Sequence, residues 1–329
     1  SDVCSSDLLK IFGILILVIV MAVSGLLVYI KTMLPDVGPA PELTVDKTPE
    51  KIERGRYLAH HVMVCMDCHS KRDWDLFAGP PVDGTWGMGG EVFDQSFGFP
   101  GKYVSSNITP ANLNGWTDGE IFRAITCGVG KDGRPLFSIM PHASYGKMDE
   151  RDIHAVIAYI RTLNPIENKT EPSKSDFPMN FIIHLIPQMA QFTQMPEKTD
   201  KVAYGKYLVN AAACGDCHTK QDKGKVVGAP FAGGFEFPFP DGSKVISANI
   251  TPHATGIGGW TSEQFVARFK AYADSGYVPQ KVNQGEFQSV MPWTMYAGME
   301  TDDLEAIYAY LNTLVPQDNS IVRFVPASK

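Results

Sequence analysis

Two short clusters of cysteine and histidine are the residues of this chain best suited to chemistry. They lie at residues 65–69 (CMDCH) and 214–218 (CGDCH), and in each the two cysteines are separated by two residues and followed directly by histidine. Covalent haem c attachment requires this pattern, because both thiols bond to the porphyrin and the imidazole binds its iron. The sequence therefore predicts two haem c groups (iron), attached through Cys65, Cys68, Cys214 and Cys217, with His69 and His218 as iron ligands.

Other uses of paired cysteines fit these clusters less well. A zinc ribbon has its second cysteine pair roughly 15 to 20 residues after the first, whereas these pairs are 149 residues apart (214 minus 65). A thioredoxin-like redox pair needs a βαβ setting, which neither cluster has. A disulfide within each cluster would leave both histidines without a role.

A methionine followed by proline recurs at the same place after each cluster. Met140 and Met291 lie 71 and 73 residues after the cluster histidines (140 minus 69, 291 minus 218). The proline removes a backbone donor and keeps the chain extended, so that the sulfur can be presented from a loop. Since methionine with histidine is a known cytochrome ligand pair, we predict Met140 and Met291 as the second iron ligands. His142 is an alternative ligand in the first half, although Trp293 takes its place in the second.

The two clusters belong to an internal duplication. Four further runs recur in the same order in both halves: 54–58 with 204–208, 106–110 with 248–252, 115–117 with 259–261, and 158–160 with 309–311. The chain therefore contains one domain twice. We place the first domain at residues 48–165 and the second at 202–318.

Helix signals occupy matching positions in the two copies. Thr48 can cap a helix that begins at Pro49, where the missing amide hydrogen of proline costs nothing. Thr117 and Thr261 each stand three residues before Glu or Gln, which is the spacing of a capping box. Each copy is therefore predicted to be mostly helical.

The last helix of each copy has the clearest periodicity in the sequence. Apolar residues recur at i, i+3, i+4 and i+7, starting from Ile153 in one copy and Leu304 in the other. The first helices contain Gly55 and Gly205, and glycine costs about 1 kcal/mol inside a helix. We predict that the first and last helices cross closely at these two glycines.

Residues 11–30 form an uncharged apolar run between Lys10 and Lys31. At about 1.5 Å per residue, a helix of this length spans roughly the 30 Å core of a bilayer. A cleaved signal peptide usually has a shorter apolar core of about 7 to 15 residues and a small-residue cleavage site. The run is therefore predicted to be a retained transmembrane anchor.

The remaining segments are assigned by composition. Residues 1–10 are an N-terminal tail whose first eight residues resemble an artefact, 31–47 are a linker, 166–201 a connector and 319–329 a C-terminal tail. Within the connector, residues 177–192 are too apolar for a free linker and are expected to pack on the domains. The glycine-rich and proline-rich stretches 77–101 and 228–242 are either short strands or loops over the haem. Cys127 is expected to be a buried free thiol.

The overall charge excludes one class of partner. The chain carries 29 basic and 36 acidic residues, for a net charge of −7 at neutral pH. Proteins that bind nucleic acid present a basic surface to the phosphates. No nucleic-acid partner is expected.

Longer motifs resemble a known family. The pattern RGRYLA, CxxCHS, NITP, GWT, DGRPL, MP and AYIRTL, which covers most of residues 50–165 and again 203–316, is similar to the multihaem cytochrome c subunits of bacterial periplasmic alcohol, aldehyde and gluconate dehydrogenases. The resemblance implies transfer of electrons from a dehydrogenase or respiratory donor to quinone or a terminal oxidase. It also implies attachment to the bacterial cytoplasmic membrane with the soluble domains in the periplasm, where haem c is attached. Many members carry three haems, and many are tethered at the C-terminus or made with a cleaved leader.

These inferences combine into one expectation. We expect an all-α protein with two tandem cytochrome c-type domains and a single N-terminal transmembrane helix, acting as an electron carrier and not as an enzyme. The alternative is a dihaem cytochrome c peroxidase, which needs one haem with an open or displaceable ligand and is disfavoured by the paired methionines. A redox or gas sensor would need a signalling domain, which the sequence lacks.

Overall fold

The computed structural model describes residues 2–327, with side chains from residue 7 onward. The predicted tails at 1–10 and 319–329 therefore lie partly outside the described residues, as does the side chain of Cys4. Helix α1 (Asp2–Met33) contains the predicted anchor and continues beyond it at both ends. The most apolar 18-residue window between Asp7 and Met33 has a mean hydropathy of 3.0, and none of that window is buried by the rest of the chain. Length and composition thus allow this helix to cross a bilayer.

Five helices follow in the same order in both halves, and the first half has one additional short helix, Pro110–Leu113. In the first half they are α2 (Pro49–Tyr57), α3 (Cys65–Cys68), α4 (Pro110–Leu113), α5 (Asp118–Cys127), α6 (His142–Tyr145) and α7 (Glu150–Ile160), with a π-helical turn at Leu58–Val62 and a 3-10 turn at Gln95–Phe97. The connector contains α8 (Met179–Ile182) and a 3-10 turn at Ile183–Leu185. The second half has α9 (Lys201–Ala211), α10 (Cys214–His218), α11 (Ser262–Lys270), α12 (Trp293–Tyr296) and α13 (Thr301–Leu311).

The predicted helix caps are confirmed. Thr48 accepts a hydrogen bond from the backbone of Lys51, and Pro49 is the first residue of α2. Thr117 and Thr261 form complete capping boxes at the starts of α5 and α11. These caps satisfy amide groups that a helix start leaves without partners, which is why the helices begin where the sequence indicates.

The predicted helix crossings are also confirmed. Helix α2 packs on α7, and α9 packs on α13. A methyl group added at Gly55 would come within 1.8 Å of the carbonyl oxygen of Ala155, and one added at Gly205 within 1.8 Å of that of Ala306. The two backbones therefore meet at a distance that only glycine permits.

The expectation of an all-α fold is not confirmed, because the chain is about 39% helical and contains small sheets. Strands β1 (Val92–Phe93), β2 (Gly101–Val104) and β3 (Lys174–Ser175) form an antiparallel sheet, β4 (Gln221–Asp222) pairs with β5 (Lys225–Val226), and β6 (Glu236–Pro238), β7 (Lys244–Ile246) and β8 (Phe324–Val325) form a third. The first and third sheets correspond in the two halves. In each, the last strand comes from the segment that follows the repeat.

The expectation of two separate domains is not confirmed either. One cluster of buried apolar side chains runs through both halves and includes Leu58 and Ile157 from the first and Leu208 and Leu304 from the second. Each of these four side chains is fully buried. The halves thus share a core.

Tyrosine and aspartate residues join the halves reciprocally. The hydroxyl of Tyr57 on α2 donates to Asp303 on α13 over 2.7 Å, and that of Tyr207 on α9 donates to Asp152 on α7 over 2.7 Å. Tyr57 and Tyr207 are equivalent positions of the duplication, as are the two aspartates. The contacts are therefore related by an approximate two-fold relation between the halves.

The connector and the linker pack against the first half, as expected for the connector. Phe192 lies on Phe122 with ring centroids 5.4 Å apart. In the linker, Val37 is buried with Cys127, which confirms that this thiol is buried. Other apolar residues of the connector, notably Phe177, remain exposed.

Candidate haem-attachment sites

Each cysteine pair is presented by a short helix that begins with an unusual backbone turn. Val64 before α3 has φ of +47°, and Ala213 before α10 has φ of +50°. Left-handed backbone is uncommon for residues other than glycine and rare for a β-branched residue such as valine. The same turn recurs in both halves. The helix that follows it places its two cysteines on one face, since residues three apart are neighbours on a helix.

The cysteine thiols are not poised for redox or thiolate chemistry. All four are free, and burial raises the pKa of Cys65, Cys68 and Cys214 to about 12. A catalytic CxxC pair works through a thiolate whose pKa is lowered. Within the described residues, no group of three or more His, Cys, Asp or Glu side chains is arranged to hold a metal ion. The raised pKa values disfavour the thioredoxin-like alternative.

The two histidines have the same fixed orientation. The Nδ1 atom of His69 donates to the carbonyl oxygen of Ser106 over 2.7 Å, and that of His218 donates to the carbonyl oxygen of Ala248 over 2.8 Å. Because a carbonyl can only accept, Nδ1 carries the proton and Nε2 keeps its lone pair. Burial lowers the pKa of both histidines, so the neutral form persists. Such a second hydrogen bond typically orients a histidine that binds a metal through its other nitrogen.

The loop that supplies these carbonyl groups is held by an asparagine. The side-chain oxygen of Asn107 accepts hydrogen bonds from both the amide and the hydroxyl of Thr109, and Asn249 does the same for Thr251. The Nδ2 atom of Asn107 also bonds to the chain that follows the last helix. Sequence reasoning used the NITP runs only as repeat markers, and their recurrence near each histidine is the signal that could have revealed this role.

The two methionines occupy equivalent positions against the shared core. Met140 and Met291 are partly buried and pack on the same apolar cluster as Cys65 and Cys214. Each immediately precedes the proline that caps α6 or α12, and the carbonyl of each accepts a hydrogen bond from the residue two positions later. The structure thus gives both methionines the same backbone setting.

Partly buried apolar side chains recur at equivalent positions of the two halves. In each half an isoleucine, a tyrosine and a leucine at equivalent positions lie against the core but are only partly buried: Ile108, Tyr159 and Leu163, and Ile250, Tyr310 and Leu314. Both ring nitrogens of buried His142, and the ring nitrogen of Trp293 at the equivalent position, have no hydrogen-bond partner among the described residues. Buried polar atoms nearly always have one. Paired thiols, oriented imidazoles, recurring apolar side chains and unpaired polar atoms are together compatible with haem, which has an apolar ring and carboxylates.

The two sites adjoin across the interface between the halves. The buried hydroxyl of Tyr145 donates to the carbonyl oxygen of Met63, and that of Tyr296 donates to the carbonyl oxygen of Ala212, each over 3.0 Å. Both acceptors lie two residues before the first cysteine of a motif. The helices that carry these tyrosines, α6 and α12, also contact the first helical segment of the opposite half. The short helix that follows each of Met140 and Met291 therefore contacts both halves.

Local charge distinguishes the two sites. Asp67, inside the first motif, is buried and pairs with the buried guanidinium of Arg72 over 3.1 Å. Arg72 lies over the ring of Trp74 and donates to two backbone carbonyl groups. Burial raises the pKa of Asp67 to about 6, an effect that Arg72 opposes. Gln221 takes the place of Arg72 in the second half, so no equivalent ion pair forms there.

Comparisons with known proteins identify related chains. Residues 202–315 match the family model for cytochrome c. The chain is 27% identical over 300 residues to the cytochrome c subunit of the quinone alcohol dehydrogenase of Gluconacetobacter polyoxogenes, covering 85% of this chain and 59% of that one. It is 26% identical over 286 residues to the gluconate 2-dehydrogenase cytochrome c subunit of Pantoea cypripedii, covering 82% and 60%.

A shorter relative corresponds more closely in length. A dihaem c-type cytochrome of Cereibacter sphaeroides is 27% identical over 266 residues, covering 75% of this chain and 80% of that protein. The chain spans only about 60% of the length of the alcohol and gluconate dehydrogenase subunits. The alternative of a peroxidase receives no support from these relatives.

Proposed function

We propose that this chain, which carries a cytochrome c domain at residues 202–315 and is homologous to cytochrome c subunits of dehydrogenases, binds two haem c groups and transfers electrons. A cytochrome c domain implies covalently bound haem c. The proposal of two haems rests on the histidine-to-carbonyl hydrogen bond, which is present in both halves. A haem iron, when bound, supplies reversible one-electron transfer.

The residues of each half would bind one haem. Cys65 and Cys68 would bond to one porphyrin through thioethers, and Cys214 and Cys217 to the other. His69 and His218 would present Nε2 to the two irons, because their Nδ1 atoms are engaged by backbone carbonyl groups. The fixed rings need no reorientation when the iron changes charge, which suits rapid electron transfer.

The role of the two methionines bears on whether the protein is an electron carrier or a peroxidase. Met140 and Met291 would supply the second ligand of each iron, a proposal that rests on their equivalent placement against the shared core. A thioether ligand favours the reduced iron and occupies the position at which a peroxide would bind. The arrangement therefore supports an electron carrier over a peroxidase.

The partners follow from the relatives and from helix α1. Relatives named as subunits of alcohol and gluconate dehydrogenases suggest a dehydrogenase as electron donor. We propose quinone or a terminal oxidase as the acceptor, and the periplasmic side of the bacterial cytoplasmic membrane as the location. Helix α1 would be the anchor, because its apolar surface is left uncovered by the remainder of the described chain.

The experiment combines peptide mapping with spectroscopy. Protease digestion and mass spectrometry of the mature protein should yield two haem-linked peptides, which contain residues 65–69 and 214–218. Met140→Ala and Met291→Ala should each remove the sulfur-to-iron absorption band of one haem. Met88→Ala is the control, because Ala232 stands at the equivalent position of the second half. A parent protein with a five-coordinate haem, or only one haem peptide, would contradict the proposal.

A further inference from the structure

An exposed apolar patch lies on the connector between the halves. It consists of Phe177, Ile182, Leu185 and Met189, whose side chains are 80%, 42%, 58% and 68% exposed. Apolar side chains clustered at a surface mark contacts with proteins or membranes more often than scattered single ones do. The patch was expected to be buried against the domains, and its exposure therefore needs a partner.

The patch adjoins the end of helix α1. Helix α8 and the 3-10 turn after it contact α1. The amino group of Lys31, in the last turn of α1, lies 5.0 Å from the ring centre of Phe181. The Nδ1 atom of His184 donates to the carbonyl oxygen of Leu34 over 2.9 Å. These contacts hold the patch beside the point where the chain leaves the apolar helix.

The junction between α1 and the first half is also fixed. Val37 is buried in a small cluster with Cys127 and Val129, and Ala190 of the connector packs on the same cluster. Further along, the amide of Val45 donates to the carboxylate of Asp118 over 2.8 Å. The segment after α1 thus lies on the surface of the first half, which keeps α1 and the patch on the same side.

We propose that the patch is a second membrane contact, which lies in the lipid–water interface next to α1. This inference rests on the proposal that α1 is a retained anchor. The 27 residues from Asp7 to Met33 are about 40 Å long as a helix, which exceeds the roughly 30 Å hydrocarbon core, so the end of α1 reaches the interface. Lysine side chains near the end of a membrane helix reach that depth, and phenylalanine and leucine are typical of the apolar face of a segment that lies in the interface. Lys31 lies beside Phe181, which packs on Phe177.

A lipid surface explains the composition of the patch better than a protein partner does. The patch has apolar side chains on one-turn helices and bends, with Lys31 beside Phe181 and the exposed carboxylate of Asp176 directly before Phe177, so both charge signs lie at its edge. It continues directly from a segment that contacts lipid under the proposed anchoring. Two attachment points would fix the tilt of the haem-bearing halves over the bilayer, whereas α1 alone would let them swivel.

The test is photochemical labelling of the full-length holoprotein in vesicles of phosphatidylethanolamine and phosphatidylglycerol. Photoreactive p-benzoylphenylalanine replaces Phe177, or Leu15 within α1, or Val278 as control. Val278 belongs to the second half and is 76% exposed, which matches Phe177. The haem spectrum of each variant verifies that it folds. Mass spectrometry then measures the lipid adducts.

We expect at least tenfold more lipid adduct at position 177 than at position 278, with position 15 also labelled. Labelling at position 15 without labelling at 177 would overturn the second contact and leave the anchor standing. No labelling at either position would refute the anchor and the patch together. Equal labelling at 177 and 278 would indicate adhesion of the whole surface and would also overturn the inference.

Discussion

The close helix crossings give a sharp test of how the sites are held. In the second half, α9 crosses α13 at Gly205 and leads directly to the motif that begins at Cys214. A methyl group at Gly205 would lie 1.8 Å from the carbonyl oxygen of Ala306. Carbon and oxygen atoms in contact normally stand about 3.3 Å apart. Gly205→Ala would therefore have to separate the two helices by roughly 1.5 Å.

The expected magnitude follows from two opposing effects. Alanine in place of glycine normally stabilises a helix interior by about 1 kcal/mol. Overpacking of a core typically costs about 1–3 kcal/mol and sometimes more. The upper end applies here, because the obstructing atom belongs to a helix backbone and cannot rotate away. We expect Gly205→Ala, and equally Gly55→Ala, to lower the free energy of unfolding by about 2 kcal/mol or more.

The assay is denaturant unfolding of the full-length protein in detergent, followed by circular dichroism. Gly259→Ala is the matched control, since nothing lies within 4 Å of the added methyl group there. The control should change the free energy of unfolding by less than about 0.5 kcal/mol. If Gly205→Ala were as stable as the parent protein, the reasoning about the crossing would be refuted.

Two further predictions concern the interface and the response to acid. Tyr57→Phe and Tyr207→Phe should each lower the free energy of unfolding by about 1–3 kcal/mol, because each deprives a buried carboxylate of one donor; denaturant titration measures this, and an unchanged midpoint in both would contradict the reciprocal contacts. The free energy of unfolding should also fall as the pH drops from 6.5 towards 4. Burial lowers the pKa of His60 to about 4 in the folded chain, so the unfolded chain binds a proton at this residue at a higher pH than the folded chain does. In unfolding measured across that range, His60→Asn should weaken the pH dependence, because asparagine does not titrate there; an unaltered slope would rule out His60 as its source.

Local signals explain what could be predicted from the sequence. The caps at Thr48, Thr117 and Thr261 depend on residues within three positions of each other, so the sequence displays them fully. The crossings at Gly55 and Gly205 are not local, but duplication revealed them, because a costly glycine recurred at the same place in both copies. Repetition thus supplied the information that an isolated glycine lacks.

Short strands were one of two alternatives for residues 77–101 and 228–242, and the sequence could not decide because the strands are too short to show alternation. Strands of two to four residues lie within stretches rich in glycine and proline. Two of them, β3 and β8, come from segments outside the repeats and join sheets through non-local pairing, such as Lys102 with Lys174. No periodicity within a short window can indicate such pairing. The all-helical expectation failed for this reason.

The candidate site was predictable in its side chains but not in its backbone partners. The motif spacing named the cysteines and histidines, whereas the acceptors of the Nδ1 hydrogen bonds are carbonyl groups of Ser106 and Ala248. A carbonyl group is present at every residue and leaves no mark in the sequence. Asn107 and Asn249, which shape those loops, do leave a mark, because they recur ahead of a threonine in both halves.

The duplication does not reveal which tyrosine and aspartate residues join the two halves. Tyrosine and aspartate recur at matching positions, so the sequence is equally consistent with pairing inside one copy and pairing between copies. Within the first half Arg54 already binds Asp152 through two hydrogen bonds, and the second donor to that carboxylate is Tyr207 from the other half. Each carboxylate therefore couples a first helix of one half to the last helix of the other. Because the first helices lead directly into the two CxxCH motifs, the interface that joins the halves also sets how the two motifs are positioned relative to each other.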